Sequence, residues 1–128
     1  MEFSIHYSPF LEKTLIVLTS NDRARFLSAL DREVEELAAI KIEVVENANF
    51  DEFKGDQLMA LGKKLSKKMA DLIKANNFKV VTLCVPEVNR EQLLAAMEPT
   101  ILAKCSTIIP KNLSAMKLDV VMRILLEG

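Results

Sequence analysis

One histidine, two cysteines and three glycines occur in the 128 residues, and each scarcity removes a class of chemistry. His6, the single imidazole, lies near the N-terminus, which leaves a serine or cysteine triad without a well-placed base and zinc without a histidine pair. Cys84 and Cys105 form no Cys-x-x-Cys pair and each sits in an apolar run, VVTLCVP and AKCSTIIP. They read as buried, reduced thiols that pack as small hydrophobes. With so few glycines, no glycine-rich phosphate loop follows a strand, so a Rossmann or P-loop nucleotide site is not expected. No stretch approaches the 18 to 20 apolar residues of a membrane span. MEFSIHYSPFLEK offers no basic segment leading into an apolar run, so no signal peptide is expected and a cytoplasmic location is inferred. The net charge of −1 argues against a generally basic nucleic-acid binder and leaves room only for a local patch. The expectation is a non-enzymatic chain without cofactor, metal or membrane partner.

What is present is enough apolar material for one domain. Half the residues are hydrophobic and 27% are charged, as in soluble globular proteins. Residues 1–13 form a lead-in, flexible in part, to a single α/β domain over 14–128. TLIVLT (14–19) is β-branched and apolar, a buried strand closed by Ser20-Asn21-Asp22. Residues 21–46 are ambiguous. Ala24, Leu27, Leu30, Val34, Leu37 and Ala38 recur at helical spacing, whereas RARFLSAL and EVEELAAIKIEVV around Asp31-Arg32 also read as a hairpin. Asn47 to Gly55 is a polar connector. A helix over 57–76 places Leu58, Leu61, Leu65, Met69, Leu72 and Ile73 on one stripe and ends at Asn76-Asn77, Asn being tolerated at a left-handed cap. KVVTLCVP (79–86) is a second buried strand. Asn89 caps a helix bearing Leu93, Leu94 and Met97, and Pro99 opens a further short turn. CSTII (105–109) is a short strand, and Ser114 caps a last helix with Met116, Val120, Val121, Ile124 and Leu125. The second half thus alternates helix, strand, helix, strand, helix, which makes parallel neighbours with right-handed crossovers.

Three charge and side-chain patterns are candidates for function. Lys63, Lys64, Lys67, Lys68 and Lys74 share the polar side of the helix with Asp71, leaving +4 on that face. Such a face can hold phosphates by counterion release. With no Phe, Tyr, Trp or Arg on the helix, contact would be to backbone and not to bases. Carboxylates crowd between Asp31 and Glu52, as a solvated acidic edge or, if they converge, as metal ligands; Asp22, Asp31 and Glu43 are the nuclease candidates. Met59, Met69, Met97, Met116 and Met122 on helices are either core or a self-association surface.

TLIVLTSNDRARFLSAL resembles the opening of the bacterial host-attachment family, the proteins required for attachment to host cells. KKLSKKMADLIKANN, KVVTLCVP, REQLLAAM and IIPKNLSAMKLDVVMRILL resemble that family's later elements in order and spacing. The family usually reads lysine-aspartate-leucine-threonine where this chain has KNLS. That family is related to the middle domain of archaeal and eukaryotic peptide-chain release factors and Pelota. The resemblance implies an N-terminal three-stranded meander, so that residues 21–46 become two strands. It implies a mixed five-stranded sheet with helices packed on it. It also places Gly55-Asp56-Gln57 where release factors carry Gly-Gly-Gln on a loop that assists hydrolysis of peptidyl-tRNA. Asp replaces the second glycine here, which gives up backbone freedom and adds a charge among phosphates.

The leading expectation is a non-enzymatic binding module of the host-attachment, release-factor-like group. The alternative is an RNA-, tRNA- or ribosome-binding module in translation or ribosome rescue, using Lys54, Lys63, Lys64, Lys67 and Lys68 with the Gly55-Asp56-Gln57 loop against tRNA or rRNA. A second alternative is a self-associating structural protein, a homo-oligomer.

Overall fold

A computed structural model describes residues 1–42 and 50–127, with side chains of the first helix from residue 55 onward. Three antiparallel strands open the fold: β1 (Phe10–Thr19), β2 (Arg23–Asp31) and β3 (Glu33–Lys41). A 27-residue helix α1 (Phe50–Asn76) follows, then β4 (Val80–Cys84), a 3-10 turn at Glu87–Asn89, α2 (Arg90–Ala96), α3 (Pro99–Leu102), β5 (Thr107–Ile109) and α4 (Leu118–Glu127). The sheet order is β3-β2-β1-β4-β5, with β4 and β5 parallel to β1. The meander, the mixed sheet and the alternating second half agree with the expected α/β class.

Residues 21–41 are the hairpin and not the helix that their spacing favours. Both sheet faces are covered, so apolar side chains are wanted on each and strict alternation is lost. Ala24 and Phe26 enter the core beneath α1, α2 and α3, while Leu27, Ala29 and Val34 enter the core beneath α4. A register shift opposite Phe26 and Leu27 lets β3 carry one extra residue, Leu37. Burial on two faces outweighs a weak local preference for helix. Asp31 takes the hairpin turn with φ 55°, and Asn77 closes α1 with the same left-handed φ. Residues 43–45 of the expected third strand and 47–49 of the expected connector lie outside the described residues; residues 50–55 of that connector are instead the first turns of α1.

Other boundaries shift. β1 begins at Phe10, ahead of its apolar run. Before it, Phe3 is buried in the α4-side core and Tyr7 donates its hydroxyl to Glu127. Asn89 has helical backbone angles and no side-chain capping bond, because the 3-10 turn already feeds α2. Ser114 does not cap the last helix; α4 starts four residues later at Leu118, and the Ser114 hydroxyl bonds to Asn112. α1 and α2 approach closely at Gly62, where a Cβ would stand 2.6 Å from the Ala96 Cβ. Ser66 on α1 accepts the backbone N–H of Glu98, tying the entrance of α3 to the same helix.

Candidate nucleic-acid interface

The lysine face of α1 is set by the core it turns away from. Leu58, Leu61, Leu65 and Met69 are at most 1% exposed, so the opposite side of the cylinder must face water. Lys63, Lys67 and Lys74, at four- and seven-residue spacing, stack along it and are exposed; Lys64 is exposed at its flank and Lys68 is half-buried. Asp71 lies among them. Among the described residues no carboxylate forms an ion pair with these lysines. Lys64 Nζ instead donates to the Lys41 carbonyl, 3.1 Å away, at the end of β3. Lys54 belongs to the helix, with its side chain outside the described residues.

Gly55, Asp56 and Gln57 are not on a loop. They form part of α1, well after its start at Phe50. Gly55 costs a helix only about 1 kcal/mol relative to alanine, too little to stop one that is held by packing. Gln57 explains the local order: it is 8% exposed and its side-chain amide donates to the Asn21 carbonyl at 2.7 Å, fastening α1 to the β1–β2 turn. A glutamine spent on that bond, in a rigid helix, cannot be projected toward a distant substrate. Gly55 and Asp56, with Met59, Gln92 and Ala95, line an open groove of about 510 Å³ between α1 and α2.

The Asp22-Arg23-Ala24-Arg25 corner is a network that the sequence signals only as a turn. Arg23 meets Asp22 through Nε and Nη2 at 3.0 and 3.1 Å. That guanidinium, helped by the Ser20 hydroxyl and by nearby Lys41, holds the Asp22 carboxyl below its usual range despite partial desolvation. Arg25 reaches Glu36 through Nε and Nη2 and donates from Nη1 to the carbonyls of Ser114 and Met116. It thereby clips the segment before α4 to the sheet.

Among the described residues the remaining candidates do not assemble into a reactive centre. Asp22 immediately precedes β2 and Asp31 is its last residue, nine positions on and roughly 30 Å away at the usual rise per residue, so they cannot share a metal; Glu43 lies outside the described residues. No cluster of three or more metal-ligating side chains occurs among the described residues. Burial pushes the Cys84 thiol up to about 11 and raises that of Cys105, the opposite of an activated nucleophile. Met69, Met97 and Met122 are core; Met59 and Met116 are exposed. Among the described residues no helix is long and apolar enough to cross a membrane.

No protein-family model and no curated protein matches the chain, so the likeness to the host-attachment family rests on its short motifs. Solved structures do match. An archaeal translation termination factor, aRF1, superposes with a TM-score of 0.55 at 12% identity over 75% of this chain and 29% of that one. A structure described as an archaeal protein gives 0.59 at 13% identity over 91% and 33%. At such identities the likeness is one of fold. The chain spans about a third of the length of these structures.

Proposed function

We propose that this domain is a non-catalytic module that binds the phosphate backbone of RNA in translation, with the lysine face of α1 as its contact. The observation that carries the reading is the row of exposed lysines, Lys63, Lys67 and Lys74, flanked by Lys64 and free of carboxylate partners among the described residues. The release-factor fold supports the setting. The host-attachment resemblance names a phenotype and no ligand. From residue 55 onward this face of α1 carries no aromatic or arginine side chain, so its phosphate contacts position a nucleic acid without reading its bases. Binding is therefore sequence-tolerant and strongly salt-dependent.

The test is co-sedimentation with ribosomes and with tRNA, wild type beside the Lys63→Glu, Lys64→Glu, Lys67→Glu, Lys68→Glu variant. Four phosphate contacts imply a loss of about 50- to 150-fold in affinity between 50 and 200 mM salt. The variant should not bind. Absence of wild-type binding at low salt would remove the reading and turn the search to protein partners.

A further inference from the structure

The lysine face does not end at α1. The Lys64 ammonium sits on the Lys41 carbonyl, and Lys41 lines a groove of about 340 Å³ together with Arg23, Arg25, Glu36, Ile40 and Ser114. The groove opens on the sheet where β2 begins and β3 ends. Three of those six side chains are cationic and one is anionic, with Asp22 just outside.

The two arginines differ in what they have left to offer. A guanidinium has five N–H donors. Arg25 uses four of them on Glu36, Ser114 and Met116, so it is a structural clip. Arg23 uses two on Asp22, and its side chain is 48% exposed, so it keeps three donors and a fixed orientation. Asp22 acts as a positioning residue, holding a planar donor group at the mouth of the groove. Lys41 is exposed beside it, near enough that its charge is felt by the Asp22 carboxyl. The neighbouring wall is Ala24, Ala39 and Ile40, with no ring on which a base could stack.

We infer that this groove is a second phosphate-contact site continuous with the α1 face, so that one RNA strand runs along Lys63 and Lys67, past Lys64, and into the groove at Lys41 and Arg23. The inference rests on the proposed RNA-backbone function and deepens it. Arg23 and Lys41 pair across the strands on the α4 side of the sheet, so the path passes from the helix face around the end of β3, a turn that a flexible single strand follows more readily than a rigid duplex. Its recognition is of ribose-phosphate, by one oriented guanidinium and a line of ammonium groups.

The experiment is fluorescence anisotropy with a single-stranded oligouridylate of about twelve nucleotides, titrated at several salt concentrations. Four proteins are compared: wild type, Arg23→Gln with Lys41→Gln, Lys41→Arg, and Lys63→Gln with Lys67→Gln. The groove substitutions fall on exposed side chains, so melting temperatures should match wild type. The Arg23→Gln, Lys41→Gln variant should bind roughly tenfold more weakly near 100 mM salt, and its log–log salt slope should shrink by about 1.4, two single-strand contacts' worth. Lys41→Arg should keep the wild-type slope. A groove variant that binds like wild type while the Lys63→Gln, Lys67→Gln variant loses affinity overturns the second site and leaves the α1 reading standing. No binding by wild type overturns both. Polyglutamate competing as well as the RNA, charge for charge, would assign the groove to acidic proteins and also overturn the inference.

Discussion

Two alanine substitutions on one helix should move stability in opposite directions. Gly55 and Gly62 both lie in α1 with no positive φ, so both give up about 1 kcal/mol of helix propensity relative to alanine. They differ in space. A Cβ at Gly55 meets nothing within 4 Å. A Cβ at Gly62 would stand 2.6 Å from the Ala96 Cβ and 2.8 Å from the Ala96 carbonyl carbon and oxygen, where ordinary contacts between carbons are about 3.5–4.0 Å. Two of those three atoms are backbone, so α2 must retreat by most of an ångström. A gap of that size forfeits roughly a quarter to a half of the dispersion energy across it. The gap would open beside Leu58, Leu61, Leu65 and Leu93, all in one core. Overpacking costs about 1–3 kcal/mol, which exceeds the propensity gain. Gly62→Ala should therefore destabilise by up to about 2 kcal/mol net, and Gly55→Ala should stabilise by up to about 1 kcal/mol. For a chain of this length, 1 kcal/mol corresponds to about 4 °C in melting temperature. Urea midpoints and thermal melts of the two variants and of Gly62→Ala with Ala96→Gly decide it. The double variant removes only the shortest contact, so it should recover part of the loss. A Gly62→Ala protein that melts above wild type would refute the helix–helix approach described here.

Gln57→Ala removes the bond from a buried side chain to the exposed Asn21 carbonyl and should cost about 0.5–1.5 kcal/mol, read as a lower urea midpoint; an unchanged midpoint would mean that the glutamine is not tied down. Arg25→Gln breaks the clip to Glu36, Ser114 and Met116. It should cost about 1–2 kcal/mol and speed amide exchange in residues 113–118, while equal protection there in both proteins would count against the clip. Burial raises the Cys84 thiol from 9.0 to about 11, so the folded state favours the protonated form. Its contribution is fully present below pH 9 and is lost as pH climbs through 11, on the order of 2–3 kcal/mol. Urea midpoints between pH 8 and 10.5 should fall more steeply in wild type than in Cys84→Ala, and parallel curves would remove the effect.

The strands β1 and β4 and the long helix were legible because single-residue chemistry and structure agree there. TLIVLT and VVTLC are β-branched runs covered on both faces, and the leucine stripe of α1 has the period of a helix that rests on a sheet. Asn77 was legible as a left-handed cap, whereas the Asp31 hairpin turn was one of two readings of its segment and was preferred only through the family resemblance. Residues 24–38 were not legible from spacing. Their apolar side chains supply two cores, and the resulting sequence repeats about as often at helical as at strand intervals. Gly55 reads as a break only while the neighbouring glutamine has no visible partner. That partner, the Asn21 carbonyl, lies 36 residues earlier and appears only when the chain has folded. Ser114 misled for the same reason: its backbone carbonyl is held by an arginine 89 residues away, which keeps the segment out of the helix. The lysine face was visible in the sequence. Its junction with Lys41 and Arg23 was not, since three separate elements meet to make it.

The placement of Gly55-Asp56-Gln57 changes what a release-factor likeness can mean here. A hydrolytic tripeptide must be carried on a segment able to reach into another molecule's active centre, with glycine freedom on both sides of the first contact. In this chain the same stretch is helical, its glutamine is buried, and its amide is already donated to the β1–β2 turn. In this domain the stretch at 55–57 is part of the helix that carries the lysine face and is not a projecting element. On the proposed RNA reading, contact comes through surface charge. That is why the decisive substitutions are at Lys63, Lys67, Lys41 and Arg23, whose loss should weaken binding without lowering the melting temperature, and why Gln57→Ala should do the reverse.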